Sequence, residues 1–169
     1  LRAGEYYIPP RQTPLQILRL LEEGEVILHP VTLPEGLRSS EVAGILAAGG
    51  WIDPAIFLNL IRDREFIRTF GLNQESLEGY LFPDTYLIPW GMSAGDIAGM
   101  MRARLDEIFD EGMRGRIEEL GLTFHETLTL ASIIQAETRL PDELPLVSAV
   151  YHNRLRRGMR LEADPTVAY

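Results

Sequence analysis

The sequence predicts an α+β protein in which a small unit of alternating strands and helices precedes a mainly helical part. Two observations lead to this prediction. Branched and aromatic residues are concentrated in short stretches, which is typical of strands. Beyond Gly50, apolar residues recur at helical spacing behind repeated capping motifs. We therefore divide the chain into residues 1–48 and residues 49–169.

The strand predictions depend on short stretches rich in branched or aromatic side chains. The first two are EYYI at 5–8 and VILHPVTL at 26–33. Because proline cannot donate to a β-ladder, Pro30 places the second strand at a sheet edge or breaks it. A further segment, EGYLFPDTYLIP at 78–89, carries two prolines and several aromatic residues, and we expect it to be extended.

The helix predictions share one signal, a capping side chain followed by an apolar repeat. In TPLQ and in TFHE the cap is a complete capping box, and glycine follows the first and the last helix as a stop signal. The predicted helices are 14–23, one from Ser39 or Ser40 through Ala48, one from Asp53 and Pro54 to Arg62, one opened by Ser93 with Asp96, one opened by Thr123 with Glu126, and one from DELP at 142–145 to Gly158.

Composition excludes several classes of function. The chain has 25 acidic and 16 basic residues, a net charge of −9, which repels phosphate backbones and anionic membrane surfaces. It has no cysteine, so a disulfide framework and a zinc finger are excluded. His29, His125 and His152 are scattered without metal-ligand spacing, and we predict neither a metal nor a cofactor.

The chain ends predict a piece of a longer protein. Leu1 is not an initiator residue, and Tyr169 ends a stretch that has no stop signal. The last residues, RLEADPTVAY, are expected to be extended with a turn at Asp164 and Pro165. No apolar run approaches the roughly 20 residues that a membrane-spanning helix needs. We expect any anchor to lie outside this sequence.

The stretch LTLASIIQAETRLP at 128–141 is the main chemical candidate, because polar groups interrupt an apolar helix. At 100° per residue, Gln135 and Glu137 point to nearly opposite sides. Gln135 shares a face with small side chains at Ala131 and Thr138, which leaves room for a ligand. Glu137 shares a face with bulky apolar residues, and we interpret it as a buried anchor for an arginine such as Arg154 or Arg160; satisfied core hydrogen bonds are the alternative for both.

A second candidate is the aromatic and acidic stretch EGYLFPDTY at 78–86. Aromatic rings can cover the apolar faces of a sugar, and Asp84 or Glu78 could accept hydrogen bonds from its hydroxyl groups. A packed loop without a ligand is the alternative interpretation of the same composition.

Several long motifs, read in order, closely resemble the YceG-like family of endolytic murein transglycosylases, also called MltG. These motifs are LRAGEYYI, VTLPEGL, SLEGYLFPDTY, LASIIQAET and VYHNRLRRGMRLEADPTVAY, and they cover almost the whole chain. The resemblance implies a LysM-like module over residues 1–48 and a catalytic domain over residues 49–169, truncated at its end. It also implies cleavage of peptidoglycan glycan strands at the outer face of the cytoplasmic membrane, with a single amino-terminal anchor and peptidoglycan synthases as further partners.

The resemblance also implies the site. The family helix carries a catalytic glutamate, as in ASIIEKET, at the position of Gln135, and we interpret the glutamine as an engineered change that stops turnover. Other positions match family motifs and are expected to line or brace the substrate groove: Glu78, Asp84, Tyr86, Glu137, Asn153, Asp164 and Thr166. Arg154 also matches, and we expect it to pair with a buried acid.

Two other functions remain open. In a non-catalytic peptidoglycan-binding module, Gln135 would be the natural residue. In an ordinary glycoside hydrolase, Asp84 or Asp164 would serve as a second carboxylate, and the product would carry a reducing end in place of an anhydro ring.

Overall fold

The structure, a computed structural model, describes residues 3–138 and 140–163 of the 169-residue chain. It divides into two compact units, Leu1–Ile108 and Phe109–Tyr169, called unit 1 and unit 2 below. The elements are mainly helical with a two-stranded antiparallel sheet, so the predicted α+β class is confirmed.

The sheet of unit 1 joins two segments that lie far apart in the sequence. Strand β1 (Leu28–Thr32) pairs antiparallel with β2 (Thr85–Pro89). Pro30 lies within β1 opposite Leu87, and the strand continues through it. Both strands of a two-stranded sheet are edges, so the missing proline donor faces no further neighbour. The pairing connects residues on both sides of the predicted boundary at residue 48.

The predicted strand at 5–8 is wrong. The segment has no strand assignment, although the Ile27 N–H donates to the Glu5 carbonyl oxygen at 2.8 Å. Tyr7 and Ile8 are exposed, so alternate side chains have no buried face that would hold a register. The β-propensity of residues 5–8 alone was therefore not sufficient to form a strand.

Helix α1 (Pro14–Glu23) has the predicted bounds and the predicted capping box. The Thr13 hydroxyl accepts from the Gln16 N–H at 3.4 Å, and the Gln16 side chain accepts from the Thr13 N–H at 2.8 Å. Gly24 ends the helix in the left-handed conformation, with φ of 71°, which a residue without Cβ adopts at little cost.

Helix α2 (Ser39–Ala48) has the predicted end, but its predicted cap is wrong. Arg38 is the N-cap, and its N–H donates to the Glu41 carboxylate at 2.8 Å. Ser39 is already the first helical residue and is buried. The acid three residues after the cap therefore accepts from the backbone N–H of the cap residue itself.

Helix α3 (Pro54–Leu60) begins as predicted at Asp53, whose carboxylate accepts from two backbone N–H groups, and it ends slightly before Arg62. A separate short helix follows, α4 (Arg64–Thr69), which the sequence reading did not include. Its cap is Asp63, whose carboxylate accepts from the Phe66 N–H at 2.8 Å.

Helix α5 (Ala94–Ile108) completes unit 1 and begins as predicted after Ser93, which bonds to the Asp96 carboxylate at 2.6 Å. Helix α2 packs against α3, and α3 packs against α5. On the two strands, the side chains of Val31, Tyr86 and Ile88 are buried. The side chains that are almost fully removed from water are Leu33, Leu46, Phe57, Ile61, Ile67, Leu77, Tyr80, Ile88, Ile97, Met101 and Leu105.

In the part of unit 2 that the structure describes there are three helices: α6 (Glu111–Glu119), α7 (Phe124–Glu137) and α8 (Leu144–Arg156). The capping box predicted for α7 is present, with the Thr123 N–H donating to the Glu126 carboxylate at 2.7 Å. Proline in the first turn of α8 is confirmed, while α6 was not predicted. The predicted turn at Asp164 and Pro165 lies outside the described residues.

The core of unit 2 is small. Leu130 and Ile133 of α7, Tyr151 of α8 and Ala163 form its buried centre, and partly buried apolar side chains pack around them. These surrounding side chains are Leu122, Ile134, Val147 and Leu161. The core fixes which face of α7 is turned inward.

Candidate functional site

Gln135 lies near the end of α7, on the side away from Leu130 and Ile133. It is half-buried, and its side chain has no hydrogen-bond partner among the residues that the structure describes. Of its neighbours along the helix, Leu128 and Ile134 are half-buried and Ala131 is exposed. The amide is therefore neither sealed in the core nor used in a described network.

Glu137 is the last residue of α7, and its predicted arginine partner is wrong. The Tyr151 hydroxyl donates to the Glu137 Oε1 at 2.5 Å. Glu137 is an exposed residue rather than a buried one, while Tyr151 is 6% exposed. A tyrosine hydroxyl satisfies the carboxylate without the cost of removing two charges from water.

Arg154 of α8 does not pair with a buried acid as predicted. Its Nη1 donates to the Leu161 carbonyl oxygen at 2.7 Å, to the Arg160 carbonyl oxygen at 3.2 Å and to the Glu162 carboxylate at 2.9 Å. Glu162 is 70% exposed at its side chain. The guanidinium therefore fastens the segment after α8 to the helix.

Asn153 lies on the exposed side of α8. Its Oδ1 accepts a hydrogen bond from Arg156 at 2.6 Å, so its described contact stays within the helix. Asp164 and Thr166, the other two candidates from this end of the chain, lie outside the described residues. Substrate binding by Asn153 stays a prediction.

Glu78 in unit 1 holds the start of α2. Both of its carboxylate oxygens accept from the Ser39 N–H, at 3.1 and 3.2 Å. The Glu78 N–H in turn donates to the Ser76 hydroxyl at 3.0 Å. A carboxylate at a helix N-terminus also complements the helix dipole. The described contacts of Glu78 brace the start of α2, and a role in lining or bracing a substrate groove stays a prediction.

Asp84 has two partners immediately before β2. Its Oδ1 accepts from the Thr85 N–H at 2.7 Å, and its Oδ2 accepts from Arg104 Nε at 2.6 Å. The Thr85 N–H, followed by the Arg104 guanidinium, lowers the pKa of Asp84 below its ordinary value. Arg104 also donates to Glu107 at 2.9 Å. A carboxyl held in the ionised form this way is suited to accept hydrogen bonds and unsuited to donate a proton.

The two tyrosines of the aromatic stretch do not present their rings to a sugar. Tyr80 and Tyr86 are 2% and 5% exposed. The Tyr86 hydroxyl donates to the Phe82 carbonyl oxygen at 2.5 Å, and burial raises its pKa above the ordinary value. Burial also raises the pKa of Tyr80. For these residues the interpretation as a packed loop is correct, because the rings fill the core of unit 1.

The chemistry available at Gln135 is limited to hydrogen bonding. A carboxamide can donate from nitrogen and accept at oxygen, but it cannot transfer a proton at neutral pH. Among the described residues there is also no group of three or more histidine, aspartate or glutamate side chains that could hold a metal ion. The candidate site is accordingly centred on one neutral polar side chain, Gln135, on helix α7, whose end is held to α8 by the Tyr151–Glu137 hydrogen bond.

Fold and site together describe an α+β protein whose candidate site centres on a single helical side chain. The chain belongs to the YceG-like family, whose characteristic sequence pattern it matches over residues 1–169. The family expected from the motifs is thus confirmed.

Two relatives bear the name endolytic murein transglycosylase. The protein from Streptococcus pneumoniae serotype 2 strain D39 is 27% identical over 195 residues, covering 100% of this chain and 35% of its own length. The protein from Bacillus subtilis strain 168 is 26% identical over 186 residues, covering 99% of this chain and 51% of its own length. This chain therefore spans about half of these relatives or less.

A solved structure has the same fold. The crystal structure of a YceG-like protein from Listeria monocytogenes superposes with a TM-score of 0.74 at 28% sequence identity. The match covers 94% of this chain and 57% of the Listeria chain. The similarity extends through both compact units.

Sequence reading missed the partners that fix the candidate side chains. Arg104, which pairs with Asp84, lies 20 residues further along the chain, and Tyr151 lies 14 residues after Glu137. The position of Tyr151 in the motif VYHNRL was a usable signal, because a large polar aromatic on a helix requires a hydrogen-bond partner when buried. For Arg104 no local pattern distinguished it from other surface arginines.

Proposed function

We propose that this chain is part of an endolytic murein transglycosylase, with Gln135 at the position of the general acid and base. The carrying observation is that Gln135 is half-buried and has no described partner, while the nearby Glu137 and Tyr151 satisfy each other. A side chain that braces nothing in the described structure is free to contact a ligand. The names of the two relatives supply the substrate class.

The reaction needs only one carboxyl group, because the nucleophile belongs to the substrate. A glutamic acid at position 135 would donate its proton to the glycosidic oxygen between MurNAc and GlcNAc as that bond breaks. The resulting carboxylate would then accept the proton of the MurNAc 6-hydroxyl group. The oxygen of that hydroxyl group bonds to C1 of the same sugar as the proton leaves. The product is a 1,6-anhydro ring, no water is consumed, and the acid is regenerated. Intramolecular attack avoids most of the entropic cost of bringing two molecules together.

A glutamine at this position stops the cycle at the first proton transfer. The carboxamide resembles a carboxyl group in size and can still bond to the glycosidic oxygen, but it has no acidic proton. Loss of a general acid commonly lowers the rate roughly 10²- to 10⁴-fold. We therefore infer that this chain binds glycan strands without cleaving them.

The modules, location and partners are further parts of this proposal. A LysM-like module over residues 1–48 and a catalytic domain over residues 49–169 would act on the cell wall outside the cytoplasmic membrane. An amino-terminal anchor and peptidoglycan synthases remain expectations from the family resemblance. Within the described ranges, no helix is long and apolar enough to cross a bilayer.

The test is the Gln135→Glu variant, incubated with purified peptidoglycan sacculi and followed by mass spectrometry of the released fragments. We expect 1,6-anhydro-MurNAc ends from the variant and almost none from the original chain. Ala131→Glu is the matched control, because it places a carboxylate one turn earlier on the same side of α7 and should release nothing. Equal release by the original chain and the Gln135→Glu variant would disprove the role of residue 135.

A non-catalytic peptidoglycan-binding module is the second candidate, and the glutamine itself favours it. In that case the Gln135→Glu variant binds sacculi as the original chain does and releases no fragments. Fragments with reducing ends would instead indicate an ordinary glycoside hydrolase. The paired and ionised state of Asp84 argues against its use as the acid of such an enzyme.

A further inference from the structure

Three aromatic rings lie together in unit 1, apart from the aromatic stretch considered above. The ring centroids of His29 and Trp51 are 5.4 Å apart at an interplanar angle of 51°. Those of Trp51 and Trp90 are 5.2 Å apart at 63°. We call His29, Trp51 and Trp90 the tryptophan platform. The Trp51–Trp90 contact is edge-to-face and the His29–Trp51 contact is tilted. Aromatic contacts at these distances favour particular relative orientations of the rings.

The platform is accessible to water. Trp90 is 48% exposed, the side chain of His29 is 37% exposed, and Trp51 is half-buried. A tryptophan exposed to this extent leaves a large apolar surface in water, which ordinary packing would have covered. The exposed surface of Trp90 is therefore available for a ligand.

Two glycines allow the rings to lie directly on the backbone. Gly50 has φ of 75°, and a Cβ added there would be 3.3 Å from Trp90 Cη2. A Cβ added at Gly49 would overlap Nε1 and Cδ1 of Trp51. The two indoles are therefore packed closely on the backbone at Gly49 and Gly50 as well as on each other before any ligand binds. Such preorganisation lowers the entropic cost of binding.

A polar pair borders the rings. His29 Nε2 lies 2.8 Å from the Glu5 carboxylate, and the side chains of His29 and Glu5 are 37% and 56% exposed. Flat apolar surface beside exposed hydrogen-bonding groups matches a pyranose ring, which has apolar C–H faces and hydroxyl groups at its rim. A protein partner would be expected to cover a larger apolar area.

We propose that the tryptophan platform is a glycan-binding site, at which a sugar ring of a peptidoglycan strand stacks on Trp90. This proposal rests on the proposed function for the identity of the glycan, because the two relatives act on murein by name. Murein glycan is a polymer, so one strand can contact a protein at more than one place. The platform supplies affinity and takes no part in proton transfer.

The first experiment uses the fluorescence of the unaltered chain. Its only two tryptophans are Trp51 and Trp90, so emission excited selectively at tryptophan, and not at the six tyrosines, reports on the platform. The probe is uncross-linked peptidoglycan glycan strands freed of peptides. We expect a shift of the emission and protection of the indoles against acrylamide quenching. An emission and a quenching constant that do not change at saturating glycan overturn the proposal.

The second experiment measures retention of variants on purified sacculi. Trp90→Ala should weaken binding roughly tenfold, as expected for loss of a central aromatic contact. Trp90→Phe keeps a stacking ring and should stay within about threefold of the original. Leu120→Ala, in unit 2, removes a side chain of matched exposure, 49%, and should bind as before. Equal loss from Trp90→Ala and Leu120→Ala, or no loss from Trp90→Ala, overturns the platform.

These outcomes separate the platform from the catalytic proposal. Binding is measured with Gln135 in place, so it does not depend on cleavage. If Trp90→Ala loses binding but Gln135→Glu releases no anhydro ends, the platform stands and the catalytic role fails. If Gln135→Glu cleaves sacculi and Trp90→Ala binds them unchanged, the catalytic role stands and the platform fails. Circular dichroism of Trp90→Ala checks its fold, and the fluorescence result stands without any substitution.

Discussion

The Tyr151 hydroxyl donates a 2.5 Å hydrogen bond to the Glu137 carboxylate, which joins the last residue of α7 to the middle of α8. The candidate position, Gln135, lies two residues before this junction. The bond therefore fixes the end of α7 in unit 2 without using the side chain at position 135.

Removing the Tyr151 hydroxyl should weaken unit 2. Tyr151→Phe keeps the buried ring but loses the hydrogen bond, and water can reach the exposed Glu137 in its place, so we expect a loss of about 1 kcal/mol in the free energy of unfolding. Urea denaturation followed by circular dichroism measures this loss. Glu137→Gln keeps an acceptor and should lose less. A Tyr151→Phe variant as stable as the original would show that the bond contributes nothing.

Arg154 should protect the segment after α8 from proteolysis. Its guanidinium bonds to carbonyl oxygens at Arg160 and Leu161, so Arg154→Ala releases backbone that α8 otherwise holds. We expect trypsin to cleave after Arg160 at least several-fold faster in the variant, because cleavage follows the population of locally open chain. Mass spectrometry of the fragments over time gives the rate.

The control for this prediction is Glu162→Gln, which removes a charge from the same cluster but keeps both carbonyl contacts. Because the Glu162 side chain is 70% exposed, loss of its ion pair with Arg154 should change the cleavage rate little. A larger effect from Glu162→Gln than from Arg154→Ala would mean that the ion pair, rather than the carbonyl contacts, holds the segment.

Asp84 should contribute to stability in a pH-dependent way. Its pKa in the folded chain is lowered, chiefly by the Thr85 N–H and then by Arg104. The ionised carboxylate therefore stabilises the fold above the pKa of the unfolded chain, about 3.9, and this contribution is lost as pH falls through the folded pKa. Asp84→Asn should be less stable than the original at pH 7, and the difference should shrink in acid.

Denaturant titrations between about pH 6 and pH 2 measure this difference. In an Arg104→Gln background the difference should be smaller at neutral pH but should persist, because the Thr85 N–H remains. A difference that stays constant through the acid range would contradict the assigned cause.

The capping box of α7 should have a measurable effect on unit 2. Thr123→Ala removes the acceptor for the Glu126 N–H and the donor to the Glu126 carboxylate, and such caps contribute about 1 kcal/mol. Thr123→Ser retains both bonds and should remain close to the original. Thermal unfolding of the three proteins, with α7 helicity followed at 222 nm by far-ultraviolet circular dichroism, compares them; equal midpoints for all three would contradict the prediction.

Local chemistry made the helices predictable. A capping box acts over three residues, so α1 and α7 could be located from TPLQ and TFHE alone. The strand at 5–8 failed because a strand is defined by a partner and a buried face, neither of which local composition specifies. The short helix α4 was missed because its signal is confined to Asp63 and one apolar turn.

The partners in the site could not be predicted for a related reason. The face of α7 was predictable from its period, and Leu130 and Ile133 are buried accordingly. Which residue meets Glu137 depends on how α8 packs against α7, and sequence spacing does not encode that packing. An arginine was predicted as the partner of Glu137 because its charge is opposite, whereas in the structure the partner is Tyr151. The role of Gln135 still depends on the proposed function.

The pairing of β1 with β2 has a consequence for how unit 1 folds. Thr32 and Thr85 face each other across 53 positions of chain, and helices α2, α3 and α4 all lie inside that loop. Closing so long a loop costs conformational entropy before any ladder bond repays it. We expect the enclosed helices to form first and the two strands to meet late, so that a nick between α4 and β2 would separate the halves of the sheet and yield two pieces able to reassociate.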